Sequence, residues 1–364
     1  MVEFVVRLPD DSPEWESVYV TGDGDKLGRW RPNAVRLERW QDGTYRTRID
    51  LPWHRTTHFL ITNGTWRGTE TDGYSREIIP HSVHPLGPTT VQTRVTGWGR
   101  NSLRDHHDFK SQFLPHARSV IVALPPGYDI VPDRRYPVMY FQDGQNLFDA
   151  HSAFGGVPWG IDEVAERVAR TGECWPVILV GVANTPDRHR EYGPIELATK
   201  KGKRSDLSRK YGRCLVEEIK PFIDKTYRTL SGPHDTAIAG SSLGGLISLH
   251  LAQWYPDVFG LCCAMSPSLW WDREYFLRSL NASPDWMDRV RIWLDVGGRE
   301  GMTRKTQLGT ARRVRRLAKI LSMRGRHEGL DYKFLEVPDG QHNEAAWGSR
   351  FDRVLQFLYG SGGM

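Results

Sequence analysis

The sequence predicts an α/β chain with a mainly parallel central sheet, preceded by a small all-β sandwich, and three observations predict it. From residue 112 onward, near-continuous apolar runs alternate with helical patterns. Before residue 97 there are only short, partly alternating segments punctuated by Gly, Pro, Asp and Asn. One of the later apolar runs also breaks into glycines around a serine and then resumes at helical spacing. With 364 residues the chain is long for one domain. The expected divisions are a sandwich over 1–97, a polar linker over 98–111 and an α/β domain over 112–360.

The front segments Phe4 to Leu8, Ser17 to Val20, Thr44 to Ile49, His58 to Ile61 and Val91 to Val95 read as antiparallel sandwich strands. Gly97, Gly99, Asn101, Arg104, Asp105 and His106 mark the linker. Beyond it, Ser119–Leu124, Pro137–Phe141, Pro176–Val182, Thr236–Ala239, Val290–Val296 and Tyr332–Val337 read as strands, most of them buried on both faces. Between two of these, Tyr211, Leu215, Ile219, Phe222 and Ile223 recur at helical spacing, placing a helix over Ser208 to Tyr227.

Composition excludes several classes of function. A net charge of +5 comes without a Lys/Arg block able to track a nucleic-acid backbone, so no nucleic-acid partner is expected. No apolar run is long enough to cross a bilayer, and residues 1 to 20 have no signal-peptide core, so a cytoplasmic protein without a membrane partner is expected. Cys174, Cys214, Cys262 and Cys263 lack metal spacing and read as buried thiols. His81, His84, His106 and His107 have no carboxylates or cysteines at ligand spacing, so no metal and no cofactor are expected.

The chemistry concentrates at Gly240-Ser241-Ser242-Leu243-Gly244. In Gly-x-Ser-x-Gly the serine sits on a tight strand-to-helix turn that side chains at the flanking glycines would obstruct, which exposes its hydroxyl at a helix N-terminus. Ser242 is therefore the candidate nucleophile. In the α/β-hydrolase order an acid and then a histidine follow. His342, in the loop Pro338 to Glu344 after the last strong strand, is the candidate base, whereas His250 falls within the elbow helix and His327 in a polar stretch. For the acid, Glu300 on the glycine loop after Asp295-Val296 is favoured over Asp295 and Asp339. Backbone N–H groups of Leu243 and of Gly144 or Gln145 would form an oxyanion hole, with Asp143 pinning its loop through side-chain to backbone bonds. Trp159, Tyr192, Trp270, Trp271 and Trp347 are candidates for an aromatic acyl wall. Arg188 and Arg190 would hold either an anionic substrate group or a carboxylate such as Glu191.

The runs Tyr136 to Asp149, Gly240 to Gly245, Met265 to Trp271 and Gly340 to Trp347 together resemble the putative esterase family, which includes esterase D and the enterochelin esterases. The resemblance spans about residues 112 to 360 and implies an α/β-hydrolase fold and a serine esterase. It also implies Ser242 as nucleophile, His342 as base and Glu300 at the acid position, with a small-molecule ester as substrate. Near the front, Leu27-Gly28-Arg29-Trp30 and Thr65-Trp66 resemble the two tryptophan positions of a starch-binding carbohydrate module, with Ser75 in place of the usual asparagine. On that resemblance Trp30 and Trp66 would bind glycan, and the alternatives become a carbohydrate esterase for feruloyl or acetyl groups and a non-catalytic glycan-binding protein.

Overall fold

The apolar runs that alternate with helical patterns become the strands of an eight-stranded sheet in the computed structural model. It describes residues 1–8, 17–62, 64, 70–71, 81–94, 97–98, 103–125, 128, 133–194, 198–199, 202–203, 207–280, 284–301 and 303–360. The chain divides into two units, one of Met1–Ser102 with Pro125–Arg134 and Glu166–Pro176, the other of Leu103–Leu124, Arg135–Ala165 and Val177–Met364.

In the first unit the strands are β1 (Val2–Arg7), β2 (Val18–Gly22), β3 (Val35–Arg39), β4 (Tyr45–Ile49), β5 (Thr57–Thr62), β6 (Glu70–Thr71), β7 (His81–Val83), β8 (Thr89–Arg94) and β9 (Gly97–Trp98). Seven of them lie in the order β7-β5-β2-β3-β4-β1-β8, with β1 and β8 parallel and the other neighbours antiparallel. Alternation along β1 buries Val2, Phe4 and Val6, which join Val18, Val20, Phe59 and Ile61 in this unit's core. Trp30 is half-buried at φ +64°, its N–H donating to Gly22 O at 2.8 Å. Trp66 lies outside the described residues.

In the second unit the strands are β10 (Leu103–Phe109), β11 (Arg118–Ala123), β12 (Val138–Gln142), β13 (Ile178–Val182), β14 (Ala198–Thr199), β15 (Gly202–Lys203), β16 (Thr236–Ser241), β17 (Leu261–Met265), β18 (Arg291–Gly297) and β19 (Tyr332–Val337). The large sheet runs β10-β11-β13-β12-β16-β17-β18-β19. It is mixed: β10 and β11 pair antiparallel, as do β11 and β13, and every pair from β13 to β19 is parallel. Residues 103–109, expected within a linker, are thus the edge strand β10. Their side chains are mostly exposed, which is why the polar sequence hid the pairing. The order reverses between β13 and β16, so the loops after β12 and β16 face a topological crevice at the carboxyl ends.

The helices are α1 (Ile161–Arg170), α2 (Arg188–Tyr192), α3 (Ser208–Arg213), α4 (Lys220–Thr226), α5 (Leu243–Trp254), α6 (Trp271–Ser279), α7 (Trp286–Arg289), α8 (Arg304–Met323), α9 (Glu344–Gly348) and α10 (Phe351–Tyr359). A π turn over Cys214–Ile219 joins α3 to α4, making one helical run from Ser208 to Thr226. Pro221 supplies the cause, because its ring and missing N–H are incompatible with an undistorted α-helical ladder one turn back. All of β16 and most of α5 are buried, so the strand and helix on either side of Ser242 form the centre of the unit.

Candidate active site

Ser242 leaves β16 at φ +55° and ψ −121°, a strained conformation for a residue with a side chain, and α5 starts at the next residue. The flanking glycines permit it. A Cβ on Gly240 would lie 2.6 Å from the Gly244 carbonyl, and one on Gly244 would lie 3.0 Å from Gln142 Cβ. The turn is closed by Ser242 N–H on Met265 O and by Ser268 N–H on Ser242 O, each at 3.0 Å.

His342 arrives from the loop after β19. Its Nε2 lies 2.9 Å from Ser242 Oγ, and its Nδ1 lies 3.2 Å from Glu300 Oε2. The imidazole is 38% exposed whereas the Glu300 carboxyl is almost wholly buried. Close backbone approach joins the two loops: Gly298 N–H donates to Val337 O at 2.7 Å and Arg299 N–H to Gly340 O at 2.9 Å. A Cβ on Gly297 would sit 2.3 Å from Gly340 O, so a side chain there would push the acid loop off the histidine loop.

The competing acids go elsewhere. Asp295 is fully buried and accepts from Trp293 Nε1 at 2.9 Å and from Arg350 Nη2 at 2.8 Å. Burial pushes its carboxyl above the usual range, with Arg350 working against the shift. Asp339 pairs in the open with Arg299 at 2.7 Å. His250 is a core histidine, packed by Trp254, Tyr275 and Phe276 and pushed down to about 3 by burial first and Arg209 second.

The loop after β12 differs in detail from the sequence reading. Gly144 serves packing rather than open access for substrate, since a Cβ there would lie 2.4 Å from the Gly181 carbonyl carbon on β13. Asp143, itself at φ +56°, accepts from Arg188 Nε at 2.7 Å, Arg188 Nη2 at 2.8 Å and Asn184 Nδ2 at 2.6 Å. Side-chain donors from another segment, not the local backbone, hold this loop. Leu243 opens α5, and Gly144 and Gln145 open a short 3-10 turn, so helical geometry gives these N–H groups no acceptor within their own turns. Gln145 also takes the Asn184 N–H on its Oε1 at 3.1 Å.

The expected aromatic wall divides. Trp159 is buried between Phe141 and Trp347, and Tyr192 is fully buried with its OH accepting from Asp143 N at 3.2 Å. Both are core, closed in by the neighbouring rings of Phe141, Trp347 and Tyr211. Trp270 is 50% exposed two residues beyond Ser268, whose Oγ lies 3.3 Å from Ser242 Oγ, and Trp271 is half-buried beside it. Asp272, Arg273 and Glu274 follow in the left-handed region, at φ 41°, 56° and 63°. Three arginines hold that turn: Arg278 donates to the Arg273 and Asp272 carbonyls, and Arg313 and Arg316 bind Glu274 at 2.8 and 3.0 Å. Both candidate anion clamps have partners within the protein. Arg188 is committed to Asp143, Arg190 pairs with Asp187 at 3.0 Å, and Glu191 is taken by Arg118.

Several residues escaped the sequence reading. Phe154, 79% exposed, projects from the segment after the β12 loop, where its N–H bonds Asn146 Oδ1 at 3.1 Å. Asn146 Nδ2 in turn reaches Glu344 Oε1 at 3.2 Å, two residues past the histidine. Glu344 has its carboxyl pushed upward, by burial first and then by Asp143. The two glycines after Phe154 were the available signal there, and Asn146 lay within the run Tyr136 to Asp149; no local pattern pointed to Arg350. Among the described residues no His/Cys/Asp/Glu cluster could hold a metal, and no helix is long and apolar enough to cross a membrane.

Residues 111–358 match the family described as Putative esterase. The sequence is 28% identical over 193 residues to the ferri-bacillibactin esterase BesA of Bacillus subtilis, covering 49% of this chain and 59% of that protein. It is 32% identical over 199 residues to the iron(III) salmochelin esterase of Escherichia coli O6:H1, covering 51% of this chain and 44% of that protein. The chain thus spans roughly half the length of these two relatives. The enterobactin esterase FES from Shigella flexneri aligns with a TM-score of 0.51 at 17% identity, over 98% of this chain and 92% of that structure. This structural likeness carries the fold, which is α/β-hydrolase-like.

Proposed function

The chain belongs to the putative esterase family and is a carboxylic ester hydrolase, and from that premise we propose that it works through a covalent acyl-enzyme on Ser242. The observation that carries the reading is the continuous line Ser242 Oγ, His342 Nε2, His342 Nδ1, Glu300 Oε2, with contacts of 2.9 and 3.2 Å between residues 242, 300 and 342 of the chain. Glu300 holds the Nδ1–H tautomer, which leaves Nε2 free to take the serine proton as Oγ attacks the ester carbonyl. The N–H of Leu243 and one from Gly144 or Gln145 stabilise the oxyanion. His342 then protonates the leaving alcohol, and water releases the acyl group by the reverse use of the same groups.

For the substrate we propose an ester with a flat, bulky acyl part of the catecholate kind, supported by the siderophore esterases among the relatives, by Trp270 standing open two residues beyond Ser268, whose Oγ is 3.3 Å from Ser242 Oγ, and by the open Phe154 on the segment that Asn146 ties to Glu344. Arg188 and Arg190 are each paired with an aspartate within the protein, so no anionic group on the substrate is required. The test is a substrate panel of nitrophenyl acetate, a catecholate trilactone, and feruloyl and acetyl sugars, run with the wild type and Ser242→Ala. Serine-dependent turnover highest on the trilactone supports the proposal. Preference for the feruloyl sugar would move the substrate to the carbohydrate-esterase class.

A further inference from the structure

We infer that Ser266 is a positioning residue of the catalytic relay, acting through Glu300; the inference rests on the serine-esterase reading above. Ser266 follows β17, is fully buried, and adopts φ +46°, an unusual conformation for a non-glycine residue. Three side chains converge on its hydroxyl. Trp347 Nε1 donates to Oγ at 3.0 Å, Arg350 Nη2 donates at 3.1 Å, and Oγ makes a short hydrogen bond with Glu300 Oε1. An indole N–H and a guanidinium N–H can only donate, and a hydroxyl has two acceptor lone pairs and one proton. Both acceptor positions are therefore filled, and the single proton of Ser266 goes to Glu300.

That assignment fixes the rest of the carboxylate. Oε1 takes Ser266 Oγ–H and Gly297 N–H, the latter at 2.6 Å, which leaves Oε2 for His342 Nδ1. A carboxylate held on both oxygens cannot rotate away from the imidazole, and the tautomer needed for proton removal from Ser242 is held with it. The donors to Ser266 are themselves tied to the site. The Trp347 ring meets His342 edge-on at 5.0 Å, and Arg350 Nη2 also binds the buried Asp295 at 2.8 Å and lies 3.8 Å from Glu300 Oε1. Ser266 thus connects the wall of the histidine, the counter-charge of both buried acids and the acid itself.

The experiment is a double-mutant cycle on a short nitrophenyl ester, with Ser266→Ala, Glu300→Gln and the pair, reading kcat and KM separately. A hydrogen bond to a charged group of this kind corresponds to about a 10- to 100-fold loss in kcat for Ser266→Ala, with KM little changed. In the Glu300→Gln background the same change should cost almost nothing, because the group it acts through is already disabled. Ser266→Thr, which restores a hydroxyl, should recover part of the rate. Should Ser266→Ala fold poorly, Ser266→Cys keeps the volume with a weak donor and should lose rate in the same direction. Wild-type kcat in Ser266→Ala or Ser266→Cys, or an equal loss with and without Glu300, overturns the inference. Activity surviving in Ser242→Ala overturns the underlying reading instead, so the two failures are distinguishable.

Discussion

The two ends of the proposed relay are built differently. At the inner end Glu300, Ser266, Arg350, Asp295 and Trp347 are all buried and bonded to one another through side chains. At the outer end Ser242 and His342 meet, with Ser268 Oγ 3.3 Å from the serine and Trp270, two residues beyond Ser268, open to solvent; Phe154, after the β12 loop, is open as well. Low dielectric makes each inner bond strong and each missing partner costly, so that end fixes orientation. Exposed rings can be exchanged with little loss of stability, so substrate preference is expected at the other end.

The largest effect should come from the point where the ends join. Ser242→Ala is expected to lower kcat by about 10⁶-fold while KM stays near wild type, since relays of this type lose nearly all turnover with the nucleophile. A phosphonate label should map to Ser242; labelling of Ser241 or Ser268 with an active Ser242→Ala protein would break the comparison at its joint.

The inner end is sharpened by its two carboxylates. Glu300→Gln should lower kcat by about 10⁴-fold, through loss of imidazolium stabilisation, with a smaller fall in melting temperature than Asp295→Asn, because its amide oxygen can still accept from Ser266 and Gly297. Asp295→Asn should do the converse, keeping most turnover and losing stability, because it weakens the partner of the buried Arg350. Turnover assays alongside thermal melts of both variants decide it, and a reversed pattern would transfer the acid role to Asp295.

A second histidine offers a control on the buried side. His250 is pushed down to about 3 from an ordinary 6.5, so the unfolded chain binds a proton there that the folded chain refuses. Its stabilising contribution is present above about pH 6.5 and is lost as pH falls towards 3, on the order of 5 kcal/mol across the whole window. Melting temperature measured from pH 7 to pH 4 should fall steeply in the wild type and less steeply in His250→Leu. Equal slopes would mean that other groups govern acid stability.

The smallest effect is expected at the rim. Trp270→Ala and Phe154→Ala should each raise KM about 3- to 30-fold for a bulky aromatic ester, leave nitrophenyl acetate turnover within a few-fold, and barely move the melting temperature. Equal KM changes for small and bulky esters would show that the rim supports the fold rather than selecting substrate.

By itself the sequence determined the alternation of strands and helices, the elbow at Ser242 and the placing of His342 and Glu300 on loops at strand ends. Those are local properties: burial on both faces makes a strand continuously apolar, and a tight turn at Ser242 excludes side chains at Gly240 and Gly244. Tertiary structure alone decided what depends on partners far apart in the chain. The polar segment 103–109 became a strand because β11 offered it an edge. Trp159 and Tyr192 went inside because Phe141, Trp347 and Tyr211 were there to cover them. Asp143 found Arg188 in place of its own backbone, and Ser266 met Arg350 across 84 positions. A side chain's spacing records which way it points along its own element, whereas its hydrogen-bond partner is settled only when separate elements pack and every buried polar group must be satisfied.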